Sequence, residues 1–324
     1  MKKIIFLLLL GSVITSCYDD YITDYEYNCV YFPIQYSVRT IVQGEKNNIR
    51  MGVCIGGVRE NNKNRIVNFR LAPEMLNPDT LLLMKTTSMN FVKTEMSTID
   101  QFTLFPSEKY SLSDNQKFLI KKGSPNGIIT ITIDTALFFR DVDNLHPKYQ
   151  IPVRITTADA DSILKDKSFA IIGLKYESFL YGNYWHGGKT VVKDLNGNIL
   201  ETIKYFTQIP SASANDWELK SISPYSVVSD AVGGLSKTYK AEMKITLNGS
   251  VVKIENVNGA TYNVEEDGIS FYNQAKLLQN RKIFLNYKYQ FDGKWYHATD
   301  TLTFRNRIRD GVNEWQDENP ENYN

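Results

Sequence analysis

Ile283-Phe284-Leu285-Asn286-Tyr287-Lys288-Tyr289-Gln290-Phe291, then Asp292-Gly293, then Lys294-Trp295-Tyr296-His297, is the stretch on which the fold turns. Ile283, Leu285, Tyr287, Tyr289 and Phe291 alternate with polar partners, the period-two pattern of a strand with one buried face. Asp292-Gly293 tolerates the positive φ angles of a two-residue type I′ turn, whose twist matches paired strands. Residues 295–304 then return alongside. The same punctuation recurs upstream at Asn248-Gly249 and Asn196-Gly197. Ala241, Met243, Ile245 and Leu247 alternate before the former, and Val251-Val252-Lys253-Ile254 returns after it. Sequential hairpins without long helices predict an antiparallel meander, closed as a barrel or folded as a sandwich.

The earlier half reads as a second β unit. Tyr149, Ile151, Val153 and Ile155 share one strand face, and Pro152, lacking an N–H, points to an edge position. Ile129, Ile131 and Ile133 alternate with threonines, after a Gly123-Ser124-Pro125-Asn126-Gly127 turn cluster and a Lys117-Phe118-Leu119-Ile120 run. Residues 73–76, 134–139 and 159–167 read as short helical turns. Residues 169–176 form the last strand before a boundary near Glu177. The expected division is residues 27–176, residues 177–308 and an acidic, turn-rich tail, 309–324, that caps the second unit or stays mobile.

Composition narrows the function classes. The 324 residues carry 37 Lys and Arg against 36 Asp and Glu, a net charge of +1, without the basic excess of a nucleic-acid binder. Twenty Tyr and 16 Phe fit a β-rich chain. With three histidines (His146, His186, His297) and three cysteines (Cys17, Cys29, Cys54), a multi-zinc protein or a disulfide-dense mini-domain is excluded.

Residues 1–16 read as an export address. Lys2 and Lys3 precede the apolar run Ile4 to Leu10, which is short of the roughly 20 residues of a spanning helix. Ile14-Thr15-Ser16-Cys17 resembles a bacterial lipobox, in which cleavage before the cysteine leaves it diacylated at the mature N-terminus. Two or more acyl chains anchor stably, so Cys17 is the expected lipidation site and the membrane an expected partner. Residues 17–26 are a polar, tyrosine-rich tether. Its Tyr18-Asp19-Asp20 resembles the Bacteroidetes signal that sends lipoproteins to the outer face of the outer membrane.

Catalytic motifs are missing. No H-E-x-x-H, G-x-S-x-G, P-loop or strand-linked G-x-G-x-x-G occurs, and no cofactor or resident metal is expected. Asp159 with Asp161, and Glu265-Glu266-Asp267-Gly268, offer oxygen ligands for Ca²⁺ or are solvated loops. Cys29 and Cys54 either join in a disulfide, given an oxidising compartment, or stay as small apolar thiols. The aromatic residues are the stronger lead. Tyr181, Tyr184, Trp185, Trp217, Trp295 and Tyr296 are candidate glycan-binding rings, because sugar C–H faces stack on indole and phenol. The competing reading packs these rings inside the second unit, with His186 and His297 as structural neighbours.

Tyr21-Ile22-Thr23-Asp24-Tyr25-Glu26-Tyr27-Asn28-Cys29-Val30-Tyr31-Phe32 is similar to the opening of a Bacteroidetes surface-lipoprotein domain of unknown function. Met51-Gly52-Val53, Tyr110-Ser111-Leu112-Ser113-Asp114 and Tyr149-Gln150-Ile151-Pro152-Val153-Arg154 continue the likeness. That domain also stands before family 18 endo-β-N-acetylglucosaminidases of polysaccharide-utilisation loci. The stretch from Tyr181-Gly182-Asn183-Tyr184 to Asp300-Thr301-Leu302-Thr303-Phe304 resembles the barrel domain that accompanies it. The resemblance implies an all-β fold, an N-terminal Ig-like β-sandwich followed by a C-terminal antiparallel lipocalin-like β-barrel. The D-x-x-D-x-D-x-E run of family 18 catalysis is absent, so hydrolysis does not carry over. Asp134-Thr135-Ala136, Asp161-Ser162-Ile163 and Asp300-Thr301-Leu302 resemble Bacteroidetes O-glycosylation triplets. The expected function is a non-catalytic glycan-binding lipoprotein on the outer-membrane surface, with oligosaccharide and an importer complex as partners. The alternatives are a structural subunit or adhesin, or a barrel that binds a small apolar ligand in a cavity lined by Tyr287, Phe291 and Trp295.

Overall fold

The computed structural model describes residues 27–47, 49–205, 215–317, 319 and 321. The leader, Cys17 and the 17–26 tether lie outside the described residues. The chain is all-β with short helices. Its first part holds β1 (Cys29–Tyr31), β2 (Tyr36–Val42), β3 (Ile49–Gly56), β4 (Arg65–Leu71), β5 (Thr103–Leu104), β6 (Tyr110–Leu112), β7 (Lys117–Ile120), β8 (Asn126–Ile133), β9 (Tyr149–Ala158), β10 (Ser162–Ile163) and β11 (Phe169–Glu177). Helices α1 (Pro78–Thr86), α2 (Asn90–Met96) and α3 (Thr135–Phe138) are inserted between them. The strands form two sheets, ordered β10-β1-β3-β8-β6 and β2-β11-β9-β4-β7, with β5 beside β9. One apolar core joins them, with Val30, Val53 and Ile131 from the first sheet against Val67, Phe118, Ile151 and Leu174 from the second.

Pro152 is not at an edge. It sits in β9, between β11 and β4, and pairs with Ile171. Its carbonyl accepts from Ala72 N–H at 3.0 Å, just past the end of β4. The Ala72 carbonyl that an ordinary residue at 152 would serve accepts instead from Met75 N–H, at 3.0 Å. A proline is therefore tolerated where the neighbouring strand has just ended.

The expected turns at 73–76 and 134–139 appear as a 3₁₀ turn (Pro73–Met75) and as α3, capped by Asp134. Residues 159–167 instead hold β10 and the 3₁₀ turn Lys165–Lys167. Helices α1 and α2 were not anticipated. Leu81, Met84, Val92 and Met96 pack with Val38 and Ile171 on the other side of the six-stranded sheet. Their start is legible as Asn77-Pro78, because the Asn77 side chain accepts from Thr80 N–H and proline fits the first helical turn.

The second part holds β12 (Gly182–Lys193), β13 (Ile199–Tyr205), β14 (Asp216–Ser223), β15 (Ser226–Ser229), β16 (Lys244–Asn248), β17 (Val251–Glu255), β18 (Val264–Glu266), β19 (Ser270–Tyr272), β20 (Lys282–Phe291), β21 (Lys294–Arg309) and β22 (Val312–Glu314). From β12 the pairing runs through β14, β15, β16, β17, β19, β20 and β21, and β21 pairs with β12 again. The circuit of hydrogen bonds thus returns to its start. Asp292-Gly293 makes the expected I′ turn, with φ of 49° and 67°. At the second hairpin the two-residue loop is Gly249-Ser250, because Asn248 pairs with Val251. Glycine there takes the first, positive-φ position, as a II′ turn requires. A further I′ turn, Asp310-Gly311, links β21 to β22, so the start of the tail is a strand.

The two parts meet through buried charge. Glu45, in the β2–β3 connection, has a side chain only 3 % exposed. It accepts from Arg307 at 2.8 Å through both oxygens, from Arg281 at 3.0 Å and from Arg309 at 3.0 Å. Burial alone would push its carboxyl up, but the charge and hydrogen bonds of Arg307, with Arg281 and Arg309, hold it below the usual carboxylate range. Asp310 reaches back to Thr40 N–H at 2.7 Å and to Arg39 at 3.3 Å.

Candidate functional site

Three strands of the second part converge on a cavity of about 460 Å³. β12 supplies His186, β13 supplies Ile203 and Tyr205, and β14 supplies Asp216 and Trp217. The segment after β15 closes one side with Ala231, Val232 and Leu235, and adds Ser236 and Lys237. The chain between 205 and 215 lies outside the described residues.

His186 is 2 % exposed. Its ring stacks on Trp217 with centroids 4.1 Å apart and lies 4.6 Å from the Tyr205 ring. Its Nε2 is 3.1 Å from Oδ1 of the fully buried Asp300. Yet neither atom has a hydrogen bond of good geometry. The other carboxylate oxygen accepts from the Tyr287 hydroxyl at 2.5 Å. Tyr287 in turn accepts from Gly233 N–H, and Tyr289 donates to the Gly233 carbonyl, both at 2.6 Å. Gly233 lies so close that a Cβ there would stand 2.6 Å from Asp300 Oδ2. Burial, then the charge of Asp300, keeps the Tyr287 phenol well above its ordinary pKa, so it stays a donor. Tyr205, raised by burial first, hydrogen-bonds Thr190.

At the mouth the charges are matched. Lys237 is 2.7 Å from Asp230 and 3.8 Å from Asp216. Arg305 is 2.6 Å from Asp216 and stacks over Trp185 at 4.5 Å.

The structure does not assemble the six expected rings into one surface platform. Tyr184 is wholly buried and donates to the Leu180 carbonyl, and Tyr181 is buried with its hydroxyl on the Ile308 carbonyl. Trp217 is 2 % exposed and faces the cavity. Trp185 and Trp295 are half-buried on the outer face, Trp295 beneath Lys288. Tyr296 stacks on Tyr289. The physical reason is strand alternation: Tyr184 and Trp185 are neighbours and so face opposite ways. The same rule separates the apolar-ligand lining, because Tyr287 points in and Trp295 points out.

Other candidates are placed as follows. Cys29 and Cys54 are free thiols. Cys29 is opposite Gly56 and Cys54 opposite Tyr31, so the two stand diagonally. Asp159 and Asp161 serve the backbone amides of Ile66 and Asn28. Glu265 pairs with Lys288, Glu266 takes Ile254 N–H, and Asp267 pairs with His297. Among the described residues no group of three or more His, Cys, Asp or Glu is arranged to hold a metal ion. A second cleft, of about 390 Å³, lies between the two parts and is lined by Lys175, Tyr181 and Arg307. Its buried Lys175 is held by Glu95 and Glu177 at 2.8 and 2.9 Å. Sequence reasoning missed Tyr205 as a cavity group and Asp300 as the carboxylate behind His186. The only available signal was inward parity with His186 across paired strands.

Residues 23–162 match a family model described as a "-like, N-terminal domain". No curated protein matches the chain. A Bacteroides ovatus protein of unknown function has a similar fold, with a TM-score of 0.65 and 18 % identity over 91 % of this chain and 99 % of that one. A multidomain Bacteroides ovatus protein including DUF1735 aligns at a TM-score of 0.43 and 15 % identity, over 89 % of this chain and all of that one. Bacteroides thetaiotamicron EndoBT-3987, solved with a Man5GlcNAc product, aligns at 0.29 and 19 %, over 44 % of this chain and 28 % of that one.

Proposed function

We propose that this protein is a surface lipoprotein of the outer membrane that binds glycan without cleaving it, within a polysaccharide-utilisation system. In this reading the first part is an Ig-like sandwich, and the closed circuit of the second is a lipocalin-like barrel. Cys17 carries the acyl anchor, and an importer complex is the partner that receives the glycan. The observation that carries the reading is the cavity at His186, where Trp217 and Tyr205 stand beside Asn215, Asp216, Ser236 and Lys237. Sugars present apolar C–H faces and hydroxyls together, and this wall offers rings and hydrogen-bonding groups together. The family-model match over residues 23–162 and the lipobox-like Ile14-Thr15-Ser16-Cys17 support the setting.

Affinity electrophoresis and calorimetry against host and plant glycans test it. The expected result is retention by at least one glycan with no release of product. Folded protein that binds none of them overturns the reading. Cys17→Ser is expected to move the protein out of the envelope fraction, and retention there removes the anchor from the account. The burial of Tyr181, Tyr184 and Trp217 favours a second reading, an interaction subunit. A stable protein partner recovered from outer membranes, without sugar affinity, would select it.

A further inference from the structure

We infer that the His186 cavity receives the end of an uncharged glycan, one or two sugar units deep, with the His186 imidazole as the ligand-contacting group on its floor. This rests on the glycan-binding reading and specifies the ligand class.

Three observations lead there. The first is unspent hydrogen-bonding capacity. His186 lines the cavity; its Nε2 is turned to Asp300 Oδ1, 3.1 Å away, and Nδ1 makes no hydrogen bond to a described residue. Nδ1 is the ring nitrogen open to a guest, and a hydroxyl-rich ligand would supply it a partner. The ring cannot swing away to water, because Trp217 and Tyr205 hold it and Asp300 stands at its far edge. Asp300 is thus a positioning residue, itself fixed by Tyr287 and by the close approach of Gly233.

The second is charge. Lys237 is the one cation among the described lining residues, and it is already held by Asp230 and Asp216. Asp216 on the same wall is itself paired with Arg305, so an acidic sugar would find no uncommitted cation among the described lining residues. The third is size. About 460 Å³ is at the small-molecule end of binding sites, which span about 300–1,000 Å³. Apolar Ile203, Val232 and Leu235 suit the C–H faces of a short guest.

The test uses calorimetry of the mature chain with mono- to hexasaccharides of mannose, glucose, xylose, galactose and N-acetylglucosamine, and with galacturonate oligomers of equal length. The expected pattern is one site, affinity that stops rising at two or three units, and at least tenfold weaker binding of the galacturonates. His186→Gln is expected to weaken binding at least tenfold, and Ile203→Trp, which fills the cavity without touching its polar floor, to abolish it. Trp185→Ala and Trp295→Ala, on the outer face, are expected to leave affinity within twofold. Should His186→Gln fail to fold, Ile203→Trp decides alone. Affinity that keeps growing to the hexasaccharide, a preference for galacturonate, or binding that survives Ile203→Trp overturns the inference while the glycan reading stands. No binding of any oligomer or parent polymer by the folded wild type removes both.

Discussion

Glu45 is one carboxylate facing Arg281, Arg307 and Arg309 in a buried contact. Removing its charge takes away the carboxylate that these three guanidinium groups share, and breaking a buried pair typically costs about 3–5 kcal/mol. Glu45→Gln is expected to lower stability by that order at pH 7, read from a urea titration. The folded-state pKa of Glu45 is depressed, so its contribution is complete above the unfolded value of roughly 4.3. It is lost as pH falls through the lower folded value. The difference between wild type and Glu45→Gln should therefore shrink on acidification below about pH 4. A gap as wide at pH 3 as at pH 7 would contradict this account. Cys29 and Cys54 permit a second measurement at this scale. Diagonal strand partners have Cα atoms roughly 7–8 Å apart, beyond the usual disulfide span. With Cys17 replaced, denatured protein should titrate two thiols per chain with Ellman's reagent. None would mean that the strands shift to bridge them.

At the scale of elements, the junction of β12 with β21 closes the second part. Gly188 sits there at φ 126°, and a Cβ would collide with the Thr299 carbonyl oxygen. Gly197 also has positive φ, at 90°, but a Cβ there meets nothing within 4 Å. Both alanine substitutions carry backbone strain of about 1–2 kcal/mol. Gly188→Ala must also push two strands apart, so its melting temperature should fall clearly further. Equal losses would mean that the β12–β21 contact tolerates widening. Asn77→Ala should cost about 1 kcal/mol through loss of the α1 cap, again by urea titration. The strands around Asp292-Gly293 were legible because alternation and turn chemistry agree locally. Helices α1 and α2 were not, since Leu82 and Leu83 are exposed beside buried Leu81 and Met84 and blur the apolar stripe.

Across the whole molecule, the two parts have separate apolar clusters. Glu45 and Asp310 tie them together. Scanning calorimetry of wild type should show one cooperative transition, and the double variant Glu45→Gln, Asp310→Ala should show two. Two transitions in wild type would show that these contacts do not couple the parts. The candidate site was half legible at this scale. Trp217 was readable as a candidate ring, while His186 was read as a structural neighbour. Their stacking, and the presence of Asp300 behind them, depends on pairing among β12, β14 and β21, which are far apart in sequence.

Local patterning alone determined the β character and the hairpins around Asn248-Gly249 and Asp292-Gly293. These follow from side-chain period and glycine-bearing turns, both readable without knowing what lies across a sheet. The tertiary structure decided which rings are hidden and which border a cavity. It also gave Pro152 its interior place and Glu45 its three arginines. Such facts depend on strand register and on contacts between distant segments, and a one-residue change of register would turn every one of those side chains to the opposite face.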